Sequence, residues 1–576
     1  MPTPEYIHRS ATDPLELGAY STLVDVLEQA WLQYPQLPAF NNFGCALSYS
    51  DLERRSRDFA AYLQHKTPLN PGDRIAIQLP NLLQYPIVLF GALRAGLVIV
   101  NTNPLYTSSE LLHQFKDSGA KGLVVLANMA SKVEPILDET DIETLIITEL
   151  GDALPVWKRF VVNATVRYIK HLVPAYRLPT AQAYTQVMRQ GKRLSFTAPV
   201  IATDDLALLQ YTGGTTGVAK GAMLSHRNLL ANLIQVKGLL DSITEPGQEL
   251  AIAPLPLYHI YSFTVSCMLM MEIGAQVVLI TNPRDMSAFV GELKRWKFTI
   301  FSGLNTLFNG LCQQPEFHRL DFSQLKLTIS GGMALATDVA EQWQKVTGCA
   351  VLEGYGMTET SPIISVNPPG AIRLGTIGLP ISSTEFRLID AEGSAVPTGE
   401  SGELCVRGPQ VMQGYWNQPQ ETALVLDAEG WLKTGDIASV DEAGYLSIVD
   451  RKKDMINVSG FNVYPNELEG VVLTHPDVID CVAIGLPDAN QGELIKLFVI
   501  TANPQLSIQD VRHHCRERLT AYKIPSQVEF RSELPRSNIG KVLRRGLRDE
   551  ELQKRLDSAN GGSYSATIKA APLLVD

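Results

Sequence analysis

Residues Tyr211 to Ala222 read YTGGTTGVAKGA. Gly213, Gly214 and Gly217 let the main chain approach an anion closely. Thr212, Thr215 and Thr216 add hydroxyl donors, and Lys220 adds a cation. Main-chain N–H groups, hydroxyls and a positive charge are what a polyphosphate needs. The apolar run Leu206 to Leu209 precedes the segment, so a strand feeds the loop. A Walker-type loop requires Gly-Lys followed by Ser or Thr. Here Val218 and Ala219 precede Lys220 and Gly221 follows it, so that pattern fails. A second cluster, GYGMTETSP, runs from Gly354 to Pro362. Tyr355, between Gly354 and Gly356, can present a flat ring to a base. Thr358 offers a hydroxyl and Glu359 a carboxylate, the oxygen ligands that a hard Mg²⁺ on a triphosphate takes.

Other segments carry single groups of interest. In WLKTGDIA, Asp436 follows Gly435, and a carboxylate there can accept both hydrogen bonds of a ribose diol. In PLPLYHIYSF, His259 sits among apolar residues, the setting of many core histidines. In PRSNIGKVLRR, Asn538 and Gly540 expose a turn from which Lys541 projects. A lysine set on a carboxylate and an α-phosphate would neutralise charge that develops in a transition state. No G-x-S-x-G elbow suggests a protein nucleophile.

In order and spacing these motifs resemble the adenylate-forming superfamily of acyl-CoA synthetases, luciferases and peptide-synthetase adenylation domains. The resemblance spans nearly the whole chain. It implies that Tyr211–Ala222, Gly331, Gly354, Tyr355, Gly356, Thr358, Asp436 and Arg451 bind ATP. Tyr355 would stack on adenine, Thr358 would contact the α-phosphate, Asp436 would hold the ribose, and Arg451 would make a second nucleotide contact. Thr215 and Glu359 would hold Mg²⁺. His259, Phe263, Gly332 and Met333 would line the acyl site, with His259 near the carboxylate and Phe263 as a gate. Lys541, Glu359, Thr358 and His259 would be the catalytic set. Lys453 would be a hinge, and Val458, Ser459, Gly460 and Phe461 would line a tunnel for coenzyme A. The stretch Gly430 to Lys453 resembles that of fatty acyl-CoA synthetases. The implied reaction joins a long-chain fatty acid to CoA through an acyl-adenylate, releasing AMP and diphosphate, in a bacterial fatty-acid-degradation setting or in lipid synthesis. An aryl- or medium-chain ligase, or a nucleotide- or lipid-binding regulator without catalysis, is the alternative.

These groups need a large scaffold. The chain has 576 residues, enough for at least two domains, with 45% apolar and 19% charged residues. Buried strands are expected in RIAIQL, GLVVLA, TLIIT, QVVLI, LKLTIS and the run ending at Leu352, with helices over 50–64 and 286–296 between them. That alternation predicts an α/β fold. A large N-terminal domain of mainly parallel sheets (1–450) would carry a small β-rich subdomain after Thr384. A hinge (451–454), a small mobile α+β domain (455–549) and a flexible tail (550–576) would follow. YPIVLFGALRAGLVIV, from Tyr85 to Val100, is too short for a typical span and holds Arg94. It reads as a buried helix running into a buried strand. The seven cysteines form no C-x-x-C pair, so reduced thiols are expected. A formal net charge of -11 argues against a nucleic-acid partner.

One segment inverts that charge. LPVWKRFVVNATVRYIKHLVPAYRLP, from Leu154 to Pro179, holds Lys158, Arg159, Arg167, Lys170 and Arg177 and no acidic residue. Trp157, Phe160, Val161, Tyr168, Ile169 and Leu172 lie among them. It reads either as a solvated basic helix or as an interfacial one on an anionic membrane. The expected location is cytoplasmic and peripheral on the cytoplasmic membrane face, with a homodimer left open.

Overall fold

The computed structural model describes residues 8–9, 15–212, 219–459, 461–488, 491–536 and 542–559. The chain forms two compact units, Met1–Thr434 with Ala438–Ile448, and Gly435–Ile437 with Val449–Asp576.

Two large sheets build the first unit. One has seven strands in the order Lys220–Ser225, Leu206–Thr212, Val98–Asn101, Arg74–Gln78, Ala120–Leu126, Thr144–Thr148 and Gln182–Ala183. Every neighbouring pair is parallel except the first. The other has nine strands. Its middle is parallel and includes Val351–Gly356, Leu327–Ser330, Ile300–Gly303, Leu250–Ala253 and Gln276–Leu279. Parallel strands are covered on both faces, which is why they read as unbroken apolar runs rather than alternating ones. Glu385–Ile389, Gly402–Arg407, Leu432–Val440 and Leu446–Arg451 are neighbours, in that order, in a five-stranded sheet, the β-rich element expected after Thr384.

Helices start where side chains cap them. Ser48 accepts from the Asp51 N–H ahead of helix Tyr49–Lys66, and Ser225 and Asn228 form a reciprocal box ahead of helix His226–Leu240. Helix Gln84–Arg94 is buried along its whole length and runs into strand Val98–Asn101. Arg94 carries a charge into that core because Glu53 meets its guanidinium at 3.2 Å. No helix among the described residues is long and apolar enough to cross a membrane. All seven cysteines are free thiols.

The second unit is α+β. Strands Val478–Asp488 and Gly492–Thr501 form a long antiparallel pair, with Ile456–Val458 and Gln527–Phe530 alongside the latter. Alternation along Val478–Asp488 serves two cores. Cys481 and Ala483 pack with Leu468, Val472 and Val511, while Val482, Ile484 and Leu486 pack with Leu534 and Leu547.

Candidate active site

Two antiparallel strands flank the Gly/Thr segment. Tyr211 and Thr212 end one strand, and Lys220, Gly221 and Ala222 begin its return, with Lys220 opposite Thr212 and Ala222 opposite Gln210. Gly213, Gly214, Thr215, Thr216, Gly217 and Val218 lie outside the described residues. This strand pair is held at several points. Tyr211 Oη donates to Asp117 (2.6 Å), and His113 Nε2 meets the Ala219 carbonyl at 2.9 Å. A Cβ at Gly221 would lie 3.1 Å from the Tyr211 ring. The Trp416 N–H donates to the Gly221 carbonyl (2.8 Å).

Tyr355 is the penultimate residue of strand Val351–Gly356, and a single 3₁₀ turn, Thr358–Thr360, follows. Gly356 is required there, since a Cβ would stand 1.9 Å from the Pro362 carbonyl oxygen. Tyr355 and Thr358 are half-buried, and Glu359 is only 6% exposed. Glu359 is fixed from two sides. Its main-chain oxygen accepts from Met412 N–H (2.8 Å), and Oε1 accepts from Tyr415 Oη (2.7 Å). Lys220 Nζ lies 5.0 Å from the centre of the Tyr415 ring and is paired with Glu421. The start of strand Lys220–Ser225 and the Glu359 turn therefore share one support, the segment 412–421.

The His259 segment is continuous with this turn. His259 caps the short helix Ile260–Ser262 through Nδ1, which accepts from Tyr261 N–H (3.3 Å). Desolvation lowers the pKa of its imidazole to about 4, so the ring is neutral at pH 7. The helix passes into the π-turns of Phe263–Leu269, and Phe263 is fully buried. Thr264 Oγ1 donates to the Ser361 carbonyl (2.9 Å). Gly331 faces Tyr261, whose ring would lie 3.2 Å from a Cβ there. Gly332 adopts φ +82° and Met333 is half-buried. Glu353 pins this loop by accepting from Leu335 N–H (2.9 Å), and burial raises its pKa to about 7.

Within the second unit, Asp436 and Arg451 are neighbours, with Oδ1 and Nε 3.5 Å apart. Lys453 lies in a turn closed by Asp454 N–H on the Arg451 carbonyl (3.0 Å). Val458 is buried and pairs with Phe461 across a hairpin. Ser459 adopts φ +54°, and Phe461, more than half exposed, stacks on Tyr522 at 4.7 Å. Gly460 and Lys541 lie outside the described residues.

Residues 27–416 match the AMP-binding enzyme family, and residues 467–541 match the AMP-binding enzyme C-terminal domain. The chain belongs to the AMP-binding enzyme family. It is 52% identical over 549 residues to a long-chain-fatty-acid–CoA ligase of Escherichia coli O6:H1, covering 95% of this chain and 98% of that one. A long-chain-fatty-acid–CoA ligase of Haemophilus influenzae is 50% identical over 544 residues, covering 94% and 97%. Among solved structures, the anthranilate CoA ligase AuaEII in complex with anthranoyl-AMP superposes with a TM-score of 0.81 at 25% identity, covering 94% of this chain and 99% of that one.

The support of Glu359 in this AMP-binding enzyme comes from residues that sequence motifs did not single out. Tyr415, Trp416 and Glu421 sit in GYWNQPQE, where nothing in the local spacing distinguishes a functional Tyr from a packing one. Asn228, on helix His226–Leu240, donates to the Pro409 and Val411 carbonyls (both 2.8 Å) and fixes the start of this segment. Lys220, read from sequence as a phosphate cation, has Glu421 as its partner in this state of the AMP-binding enzyme.

Proposed function

We propose that the chain is an AMP-forming long-chain fatty acid–CoA ligase. The observation that carries this reading is the end-to-end match at 52% identity to a relative of that name, with the Gly/Thr loop, Glu359 and Lys541 all present. In the first half-reaction the fatty carboxylate attacks the α-phosphorus of ATP and diphosphate leaves. The loop N–H groups and Lys541 would stabilise the added negative charge. In the second, the CoA thiol attacks the acyl carbonyl and AMP leaves. Lys453 would be the hinge between the two poses, and Val458, Ser459, Gly460 and Phe461 would guide the thiol arm. His259, being neutral, can orient a carboxylate by hydrogen bonding without trapping it in an ion pair.

The donor set fits Mg²⁺. Glu359 is a buried carboxylate next to the Thr358 hydroxyl, and both are hard oxygen donors. No group of three or more His, Cys, Asp or Glu among the described residues could hold a metal. Phosphate oxygens would therefore supply most ligands, with Glu359 and Thr215 completing the set. The metal supplies charge neutralisation on the leaving diphosphate.

Palmitate-dependent pyrophosphate exchange, followed by product analysis with CoA, tests the assignment. Lys541→Ala should lower acyl-AMP formation by about a thousandfold while thioester synthesis from supplied palmitoyl-AMP survives. Equal loss of both half-reactions would sink the role given to Lys541, and no palmitate-dependent exchange in the wild-type enzyme would sink the ligase.

Helix Val156–Ala164 and the following turn Thr165–Ile169 contain no buried residue. Trp157 is 66% exposed, Phe160 75% and Ile169 72%. Exposed aromatics in a segment whose charges are all basic support the reading that this helix rests on an anionic membrane. Two of its cations have other partners. Arg167 pairs with Glu149, and Lys158 Nζ donates to the Phe43 and Gly44 carbonyls (3.2 and 3.3 Å). Apolar insertion should therefore dominate. Trp157→Ser with Phe160→Ser should abolish co-sedimentation with anionic vesicles, and unchanged co-sedimentation would leave the helix an ordinary solvated one.

A further inference from the structure

The same helix borders a cavity of about 350 Å³. Helix Tyr49–Lys66 supplies Arg54 and Arg55, helix Val156–Ala164 supplies Arg159, and the segment 184–192 supplies Arg189 and Lys192. Asp58 and Asp152 are the acidic groups of the lining. Five cations thus face two carboxylates in a chain whose net charge is -11.

The frame is rigid. A Cβ at Gly191 would stand 2.0 Å from the Asp58 carbonyl oxygen, so the absence of a side chain sets the close approach of two walls. Arg55 donates to the Ala153 carbonyl (3.1 Å), and Asp152 is held by Glu149 N–H (2.8 Å) and by Asn163 (3.0 Å). Tyr184, nearly fully buried, lies in the field of Arg55 and Asp152. Arg54 is paired with Asp51 at 2.6 Å. Arg159, Arg189 and Lys192, by contrast, make no ion pair or side-chain hydrogen bond among the described residues. Three cations from two segments thus line one cavity, where Asp58, in the field of Lys192, and Asp152 are the lining carboxylates set against a total of five cations.

We propose that this cavity binds a phosphate group, and that its source is the headgroup of an anionic phospholipid. The lining chemistry suits this ligand: the guanidinium groups of Arg159 and Arg189 can donate to phosphate oxygens, with the ammonium of Lys192 as a point charge. The lipid source follows from position. Arg159 belongs to the same two turns of helix as Trp157 and Phe160, which stand in solvent. An acyl boundary reached by those aromatics brings headgroup phosphates to the depth of the cavity. This part of the inference rests on the membrane reading above.

The test uses the full-length enzyme with vesicles of phosphatidylcholine alone and of phosphatidylcholine with phosphatidylglycerol. Removing three cations with Arg159→Gln, Arg189→Gln and Lys192→Gln should lower the preference for phosphatidylglycerol at least about tenfold. Residual binding to phosphatidylcholine and ligation of a soluble short-chain acid should be unchanged. Arg189→Gln alone, on an exposed helix position, should give a smaller shift in the same direction and guards against misfolding of the triple variant. An unaltered preference in both variants overturns the cavity and leaves the membrane reading standing. Wild-type enzyme that binds neither vesicle overturns the membrane reading and the lipid source together. Calorimetric titration with glycerol 3-phosphate, without vesicles, separates the sources. Binding that the triple variant loses, in an enzyme with no vesicle preference, assigns the site to a free phosphate ester instead.

Discussion

In the proposed mechanism Glu359 helps hold the metal on the nucleotide, and its neighbours would decide how well it acts. A carboxylate in that role would have to be held in place. Tyr415 Oη holds one oxygen at 2.7 Å in a buried setting, and burial together with the Glu359 charge raises the Tyr415 pKa well above the ordinary value. The phenol therefore remains a donor throughout the physiological range. Tyr415→Phe should remove that hydrogen bond without creating a large cavity. Loss of one charge-assisted bond in a desolvated site is worth roughly 2 kcal/mol, so kcat should fall by about thirtyfold. The concentration of Mg²⁺ needed for half-maximal rate should rise as well, a change that simple loss of packing would not produce. An unchanged Mg²⁺ dependence would separate Tyr415 from Glu359 function. The acidic residue was legible in GYGMTET because its chemistry is local. The tyrosine was not, because it lies 56 positions away and only the fold brings it there.

At the scale of elements, backbone geometry carries as much as side chains. Gly356 has no room for a methyl group against Pro362, so Gly356→Ala must open the turn that presents Thr358 and Glu359. Both activity and melting temperature should drop, with a stability loss of roughly 2–4 kcal/mol. A variant melting within a degree of wild type would show that the turn has slack. Buried strands such as Arg74–Gln78, Ala120–Leu126 and Thr144–Thr148 were readable as apolar runs, because both faces of a parallel sheet demand it. The antiparallel return Lys220–Ser225 was not. Gly, Ala and Met in that strand pack against the 412–416 segment, and a run of small residues has no period to detect. Nor were the π-turns of Phe263–Leu269 legible, since every residue of that stretch is buried and no polar face marks its pitch.

Helix His226–Leu240 gives a prediction in pH. His226 is buried, its Nδ1 accepts from Leu23 N–H (3.1 Å), and burial lowers its pKa from 6.5 to about 4 despite the nearby Asp25 and Asp205. Between these two values the unfolded chain binds a proton that the folded chain refuses. Stability contributed by this site is therefore complete above pH 6.5 and is lost as pH falls toward 4, by at most roughly 3 kcal/mol. His226→Asn keeps an acceptor for Leu23 and removes the titration. Its melting temperature should decline less than that of wild type between pH 6.5 and pH 4.5. Parallel declines would place the acid sensitivity elsewhere.

At the scale of the molecule, the proposed pivot at Lys453 would have to serve two half-reactions. The motifs divide between the compact units. The strands flanking the Gly/Thr segment, the Glu359 turn and the His259 segment lie in the first, while Asp436, Arg451 and the Ser459 hairpin lie in the second, which also takes in Gly435–Ile437. The sequence predicts a hinge at 451–454, whereas the compact units part at Ile448/Val449 and residues 435–437 group with the second unit, which depends on strand pairing. Lys453 follows Arg451 in a turn closed by Asp454 N–H, and Asp454 in turn lies 3.6 Å from Arg544. A fixed turn flanked by ion pairs can serve as a pivot only if one residue between them is free to change its φ and ψ. Proline at that residue fixes φ near −65°. Lys453→Pro should therefore leave palmitate-dependent pyrophosphate exchange largely intact while thioester synthesis from palmitoyl-AMP falls by at least about tenfold. If exchange is lost and thioester synthesis survives, proline has trapped the opposite pose and Lys453 is still the pivot. Wild-type rates in both half-reactions would move the pivot away from Lys453 and into another residue of the turn.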